Sequence, residues 1–129
     1  MKPIYHFEHV HILSRDPQAV AQYFHEMFDA KIIDGVEADG KPRVEVEMNG
    51  LLIFIFPVYP EENLPAAPAG RYIGLDHFGL RVDNLDETAA ELKRRGAEFV
   101  VEPFLKRPGL KISFLRGPEN VRIELLERN

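Results

Sequence analysis

Apolar residues are spaced with two different periodicities along this chain, and the two periodicities occur in the same order in each half. Alternation of apolar and polar residues is typical of a strand with one buried face. It occurs in EHVHIL (8–13) and RVEVEM (43–48) of the first half and in DHFGLRV (76–82) and VRIELL (121–126) of the second half. We therefore predict strands in which one face packs on a helix and the other face is open.

Two segments have instead the three-to-four-residue spacing of an amphipathic helix. In residues 16–28 the apolar positions are Val20, Tyr23, Phe24, Met27 and Phe28, and in residues 85–96 they are Leu85, Ala89 and Leu92. Asp16-Pro17 and Asn84 are typical helix starts, and Gly96 is a typical helix end. Each half is therefore predicted to contain one helix.

The remaining strands complete the same order of elements in both halves. AKIIDG and AEFVVEP follow the helices, and hairpins then turn at Asn49-Gly50 and at Gly117-Pro118-Glu119-Asn120. When His9 is aligned with His77, the second half repeats the first as β-α-β-β-β. We predict one domain over residues 1–129, with module one at about 5–56, a proline-rich linker at 57–72 and module two at about 73–127.

Strand alternation places the polar candidates on one face of the predicted strands. His9 and His11 point away from the helix in the first strand, as do His77 in the second module and Glu124 in the last strand. Two histidines and a carboxylate on neighbouring strands are a facial set of ligands for a divalent metal ion. Imidazole and carboxylate suit Zn, Ni, Fe(II), Mn or Co, and the alternative is a degenerate site that holds no metal.

Composition and charge exclude several other classes. The 129 residues are 45% hydrophobic and contain no cysteine, so a disulfide scaffold and a thiolate metal site are excluded. The formal charge is −5 without a basic cluster, which argues against nucleic-acid binding. No apolar run is long enough for a membrane helix. No signal-peptide pattern opens the chain. A cytoplasmic protein is expected.

The stretches EHVHIL, LDHFGLRVDNLDET and FLRGPENVRIELLE resemble the vicinal oxygen chelate superfamily, which includes glyoxalases, epimerases, extradiol dioxygenases and resistance proteins. The resemblance implies an α+β fold in which two βαβββ modules form a curved eight-stranded mixed sheet. It implies a divalent metal held by His9, His77 and Glu124. It also implies a homodimer that binds a small-molecule substrate.

The resemblance narrows the activity as well. Glyoxalase I enzymes carry a fourth ligand, a Glu, where this chain has Phe54, or Ile53 if the hairpin slips by one residue, so a standard glyoxalase I is not expected. We expect a metal-dependent isomerase or lyase that stabilises an enolate-like intermediate, with proton transfer by Glu124, Glu45 or Glu47. The alternatives are an Fe(II) dioxygenase, which Leu115 disfavours because extradiol dioxygenases have a tyrosine there, and a non-catalytic binding or resistance protein.

Further side chains are candidates for the substrate pocket. They are His11, Phe54, Phe56, Arg81, Arg122 and Tyr72. His11 shares the face of His9, and the two phenylalanines would give an apolar wall. Both arginines project on the ligand side, where they would anchor an anionic group or pair with a nearby carboxylate.

Overall fold

The computed structural model describes residues 1–129, which divide into two compact units, residues 1–64 and 65–129. The boundary falls inside the predicted proline-rich linker. Each unit contains one four-stranded mixed sheet and one long helix in the order β-α-β-β-β. The predicted α+β class and the two βαβββ modules are therefore confirmed, and the eight strands divide into one hydrogen-bonded sheet per module.

Module one contains five regular elements and one short 3-10 helix. They are β1 (Val10–Ser14), α1 (Pro17–Phe28), β2 (Lys31–Val36), β3 (Pro42–Met48), β4 (Leu51–Pro57) and the 3-10 helix Pro60–Glu62. The strand order is β1-β4-β3-β2, and β1 runs parallel to β4 while the other neighbours are antiparallel. The first strand is therefore paired with the last, which puts His11 directly opposite Phe54.

Module two repeats this arrangement. Its elements are β5 (Phe78–Arg81), α2 (Leu85–Arg94), β6 (Glu98–Arg107), β7 (Leu110–Arg116), the 3-10 helix Pro118–Asn120 and β8 (Arg122–Arg128). The order is β5-β8-β7-β6, again with the first strand parallel to the last. Here Gly79 lies directly opposite Glu124. Phe54 and Glu124 are therefore equivalent positions, and the alternative register at Ile53 is excluded.

The helices begin where the sequence predicts. The Asp16 carboxylate accepts a hydrogen bond from the amide of Ala19 at 3.1 Å, and the Asn84 side chain accepts one from the amide of Glu87 at 3.0 Å. Such bonds satisfy amides that the first turn of a helix leaves without partners. After α2, Gly96 adopts a left-handed conformation with φ of +95°. None of the helices is long and apolar enough to cross a membrane.

The predicted strand faces are also confirmed. Val44, Val46, Ile53 and Ile55 are fully buried in module one, as are Leu115 and Ile123 in module two. Because side chains alternate along a strand, their neighbours Glu45, Phe54 and Glu124 lie on the opposite face of each sheet. In each unit the helix covers the apolar face of the sheet, and the candidate polar residues of that unit lie on the other face.

Candidate metal and ligand site

The central pair of the candidate site lies in module two. Nε2 of His77 is 3.5 Å from Oε1 of Glu124, and their side chains are 30% and 19% exposed. His77 directly precedes β5, and Glu124 lies on β8, which pairs with β5. Pairing of the first strand with the last therefore brings together two residues that are 47 positions apart in the chain.

Asp76 determines which nitrogen of His77 faces Glu124. Oδ2 of Asp76 is 2.7 Å from Nδ1 of His77. The hydrogen bond to His77 is the main cause that lowers the pKa of Asp76, and Arg122 and Arg71 lower it further. An ionised carboxylate only accepts hydrogen bonds, so Nδ1 carries the proton and donates. In a neutral ring, Nε2 then presents its lone pair towards Glu124.

The pair fits two ligands of a divalent metal. A lone pair and a carboxylate oxygen at 3.5 Å repel each other unless a cation or a proton lies between them. Two ligand atoms about 2.1 Å from one tetrahedral ion are about 3.4 Å apart, close to this separation. A metal-bound histidine also commonly donates its second nitrogen to a carboxylate, as His77 does to Asp76. Neither unit by itself groups three His, Asp or Glu side chains that could hold a metal ion.

Gly79 leaves room for the carboxylate of Glu124. A Cβ atom at position 79 would lie 3.2 Å from Oε1 of Glu124 and 3.2 Å from Cδ2 of Leu126. Both contacts are tighter than ordinary van der Waals distances. The glycine therefore lets the Glu124 side chain lie flat against the neighbouring strand.

In module one, His9 also has the carboxylate of the preceding residue as its polar partner. Nδ1 of His9 is 2.9 Å from Oε1 of Glu8, which matches the Asp76–His77 bond one module later. Its ring stacks on Phe54, with the ring centroids 4.0 Å apart and the planes 20° apart. In module one, the pair equivalent to His77–Glu124 is therefore His9–Phe54, an imidazole stacked on an aromatic ring.

His11 and Phe56 extend this contact into an aromatic row on the sheet face of module one. The rings of His11 and Phe56 are 4.3 Å apart, and Phe54 and Phe56 are parallel within 16°. Partial desolvation lowers the pKa of His11 although part of its surface is exposed, and the charge of His9 lowers it further while Glu37 opposes both. His11 thus lies in the row rather than in a polar cluster.

The two glutamates proposed as bases have different surroundings. Glu45 lies opposite Phe54 and is 3.7 Å from Nη2 of Arg43. Glu47 lies two pairs nearer the turn, and its Oε1 accepts a hydrogen bond from the amide of Gly50 at 3.1 Å. One oxygen of Glu47 is therefore occupied by the hairpin, whereas Glu45 has a single long ion pair.

The remaining pocket candidates lie in the second compact unit, residues 65–129. Arg122 is 3.2 Å from Asp76, and its guanidinium lies 4.6 Å from the ring centre of Phe114. Arg81 is exposed at the end of β5, where it pairs with Leu126. Tyr72 is half exposed and lies before β5. Arg122 is thus the only one of the three with a polar contact to the His77 pair, through Asp76.

Phe114 lies on the same face of the sheet as Glu124, but it was not among the residues predicted from the sequence. It lies directly opposite Glu124 on β7, and its ring is 4.9 Å from that of His77 at an interplanar angle of 85°. Leu115 is instead fully buried on the helix side. The side chain of the Ser113-Phe114-Leu115 run that faces the site is therefore a phenylalanine. Counting alternate positions back from Glu124 through the hairpin would have found it.

A match over nearly the whole chain shows the superfamily of this protein. The model of the Glyoxalase/Bleomycin resistance protein/Dioxygenase superfamily matches residues 6–125, so the chain belongs to that superfamily. The uncharacterized protein YwkD of Bacillus subtilis (strain 168) is 26% identical over 127 residues, which cover 93% of this chain and 94% of YwkD.

Solved structures share the fold over nearly the whole chain. The glyoxalase family protein from Enterococcus faecalis is 22% identical with a TM-score of 0.72, and the match covers 95% of this chain and 97% of that one. TnmS3, an antibiotic binding protein from Streptomyces sp. CB03234, is 17% identical with a TM-score of 0.74, and all of both chains are covered. At these identities the similarity establishes the fold and leaves the activity to the residues of the site.

Proposed function

We propose that this chain is a metal-dependent enzyme of the glyoxalase or epimerase type, an isomerase or lyase that acts on a small molecule with two neighbouring oxygen atoms. His9, His77 and Glu124 are the residues proposed to hold the divalent ion. The observation that carries the proposal is the His77–Glu124 pair, whose imidazole presents Nε2 to a carboxylate at 3.5 Å while Asp76 holds Nδ1. A bound ion of this kind stabilises negative charge on a substrate oxygen as a Lewis acid.

The residues of the chain have distinct roles in this proposal. Asp76 keeps the His77 ring oriented, and Phe114 packs its ring against that of His77. Glu45 is the better candidate for the proton-transferring base, since Glu47 is bonded to the turn amide of Gly50. Glu124, if it is not fully engaged as a ligand, is the second candidate. A carboxylate within reach of the substrate carbon can move a proton from it and return it.

Metal binding tests the proposal directly. The purified protein is stripped with chelator, dialysed and titrated separately with Zn, Ni, Mn, Co and Fe(II). We expect about one ion per chain in the wild type, as in a catalytic site with three protein ligands. His77→Ala and Glu124→Gln should lose this ion, whereas His6→Ala, which removes an exposed histidine, should keep it. Unchanged stoichiometry in folded His77→Ala would refute the site.

A second candidate function is binding of a small aromatic molecule without chemistry. The stacked His9–Phe54 pair and the parallel Phe54 and Phe56 rings favour it, because such rings accept a flat ligand by stacking. The description of TnmS3 as an antibiotic binding protein is in accord with it. Ligand binding that is unaffected by the chelator, together with no metal uptake, would favour this candidate over the enzyme.

A dioxygenase on the same residues is the less favoured alternative. Phe114 faces Glu124 and has no hydroxyl group to serve as an acid or base. Oxygen consumption by the Fe(II)-loaded protein in the presence of a catechol would support the dioxygenase. Its absence, with turnover of a hydroxy- or keto-carbonyl substrate, would support the isomerase or lyase.

The proposal includes a homodimer in a reducing compartment such as the cytoplasm. Apolar side chains are exposed before β1 and at equivalent positions before β5, namely Ile4, Tyr5, Phe7, Tyr72, Ile73 and Leu75. Exposed apolar surface of this kind is typical of an interaction site. The lack of cysteine suits a reducing compartment. Sedimentation equilibrium of the wild type and of Phe7→Ser with Leu75→Ser tests the dimer.

A further inference from the structure

A cleft in module two collects three arginines. It has a volume of about 200 Å³, and its lining includes Arg71, Arg116, Arg122, Asn120, Val100 and Val101. Pockets for drug-sized ligands are typically about 300–1,000 Å³. This cleft is therefore of a size for one chemical group rather than for a whole large ligand.

The arginines are held side by side against their own repulsion. Arg116 and Arg122 lie directly opposite each other on β7 and β8, an arrangement that is unfavourable for like charges. Glu98 lies 3.4 Å from Nε of Arg116, and Asp76 lies 3.2 Å from Nη1 of Arg122. Asp76 is also the partner of Arg71, at 3.4 Å. Three guanidinium groups thus share two carboxylates, which leaves one positive charge.

Several donors of these guanidinium groups are not used by the bonds described. The contacts to Asp76 use Nη1 of Arg122 and Nε of Arg71. The terminal nitrogens of Arg71 and Nη2 of Arg122 are therefore available for a ligand. A guanidinium group presents its donors in a planar fork that matches the oxygens of a carboxylate or phosphate.

An irregularity in β6 builds the apolar wall of the cleft. Val100 and Val101 are consecutive, so regular alternation would send them to opposite faces. The pairing of β6 with β7 shifts between Phe99 and Val101, which is a β-bulge. A bulge adds an unpaired residue and redirects side chains. This accounts for two consecutive valines in one cleft.

The segment before β5 forms another wall. The side chain of Asn120 donates to the carbonyl of Ala67 at 3.0 Å, and Nη1 of Arg116 donates to the carbonyl of Ala69 at 3.2 Å. These bonds tie residues 67–71 of the predicted linker to the hairpin of β7 and β8. Arg71 is brought to the cleft by this segment.

Module one lacks the charges and the bulge that form the cleft. The hairpin positions equivalent to Arg116 and Arg122 are Glu47 and Leu52, which pair with each other across β3 and β4. The pairing of β2 with β3 runs without a shift from Lys31 to Val36. The fold therefore does not require the charges or the bulge, since the same fold forms without either.

From these observations we propose that the cleft binds an oxyanion, the carboxylate or phosphate group of a small ligand. Arg71 and Arg122 supply the charged donors, Arg116 positions the wall and adds charge, and the valines form an apolar wall on one side. Asp76 contacts both Arg122 and His77, so the cleft lies beside the His77–Glu124 pair. The role of the cleft as a subsite for the substrate of the His77–Glu124 pair rests on the proposed function. The affinity of the cleft for a free oxyanion is independent of that function.

The test uses the metal-free, dialysed full chain, so that no anion can bind through a metal. Inorganic phosphate and malonate are titrated separately while the amide and arginine side-chain NMR signals are recorded. We expect saturable shifts centred on the cleft. Arg71→Gln should weaken binding at least tenfold, equivalent to about 1.4 kcal/mol. Its side chain is 81% exposed, so the fold should be kept. Arg94→Gln removes the same charge from the exposed face of α2 and should leave binding unchanged.

Each outcome decides between the cleft and its alternatives. Tighter binding of phosphate or of malonate identifies which oxyanion the cleft prefers. Equal weakening by Arg71→Gln and Arg94→Gln, or no saturation with either anion, would overturn the proposal. If Arg116→Gln unfolds, Arg116→Lys and Arg71→Gln still test the cleft. His77→Ala should abolish metal binding and keep oxyanion binding, which separates failure of the cleft from failure of the proposed function.

Discussion

Oδ2 of Asp76 lies 2.7 Å from Nδ1 of His77, on the side of the ring away from Glu124. The carboxylate therefore acts on the candidate ligand through its tautomer and orientation. Glu8 and His9 repeat the contact in module one at 2.9 Å. A histidine bonded to the acidic residue before it is thus a feature that both modules repeat.

We predict that Asp76→Ala weakens metal binding without unfolding the chain. Loss of a carboxylate that orients a metal-bound histidine typically costs about 10–100-fold in metal affinity. In metal-free protein with a neutral His77 ring, the ¹⁵N signals of His77 should also change from mainly Nδ1-protonated to a mixture of tautomers. Asp86→Ala, which removes an exposed carboxylate from α2, is the control. Unchanged tautomer and unchanged affinity would show that Asp76 does not position the ring.

We predict that Gly79→Ala displaces the carboxylate of Glu124. The new Cβ would lie 3.2 Å from Oε1, so Glu124 has to move by a few tenths of an ångström, and metal affinity should fall severalfold. Gly70→Ala is a matched control, because nothing lies within 4 Å of its Cβ position. Isothermal titration with the preferred metal measures both variants. Equal affinities in the two variants would contradict a role for the space at Gly79.

We predict an acid-dependent loss of stability at the start of α2. The amide of Leu85 donates to Oε1 of Glu127 at 2.8 Å, and this bond is the main cause that lowers the pKa of Glu127 below its ordinary value of 4.5, with Asn129 assisting. Because the folded-state pKa is the lower one, the contribution is complete above pH 4.5 and is lost as the pH falls through the lowered value. Urea unfolding against pH should show a smaller acid dependence in Glu127→Gln than in the wild type. Glu61→Gln, at an exposed position, should behave as the wild type does.

Two buried serines should respond to substitution in opposite directions. Oγ of Ser113 is buried without a hydrogen-bond partner, whereas Oγ of Ser14 accepts from the amide of Asp16 at 2.9 Å. A buried polar group without a partner costs about 1–3 kcal/mol. Ser113→Ala should therefore raise the free energy of unfolding by about 1 kcal/mol, and Ser14→Ala should lower it by about as much. A loss of stability in Ser113→Ala would mean that the hydroxyl has a partner in solution, such as a water molecule.

The sequence allowed the local part of this architecture to be predicted. Strand alternation assigns Val44, Val46 and Ile123 to the core, and the repeat places Phe54 at the position of Glu124. Both inferences use only short-range periodicity, which the pleat of a strand imposes. The association of His77 with Glu124 also followed, because both the repeat and the strand faces pointed to it.

The cleft did not follow from the sequence. The bulge near Val100 breaks the alternation on which the face assignment depends, and no local residue pattern marks it. The bonds from Arg116 and Asn120 to residues 67–71 span 47 and 53 positions. Contacts of that range depend on how the chain returns across the sheet, which periodicity does not encode.

The cross-strand partners of Phe54 and Glu124 restrict which side chains can replace them. Glu124 is accommodated because its neighbour on β5 is a glycine, and Phe54 packs where its neighbour on β1 is His11. A carboxylate introduced at position 54 alone would meet an imidazole ring in the place where module two has open space. The unit that differs between the copies is thus a pair of facing residues, so a carboxylate at position 54 would need a small residue at position 11 to lie as Glu124 lies beside Gly79.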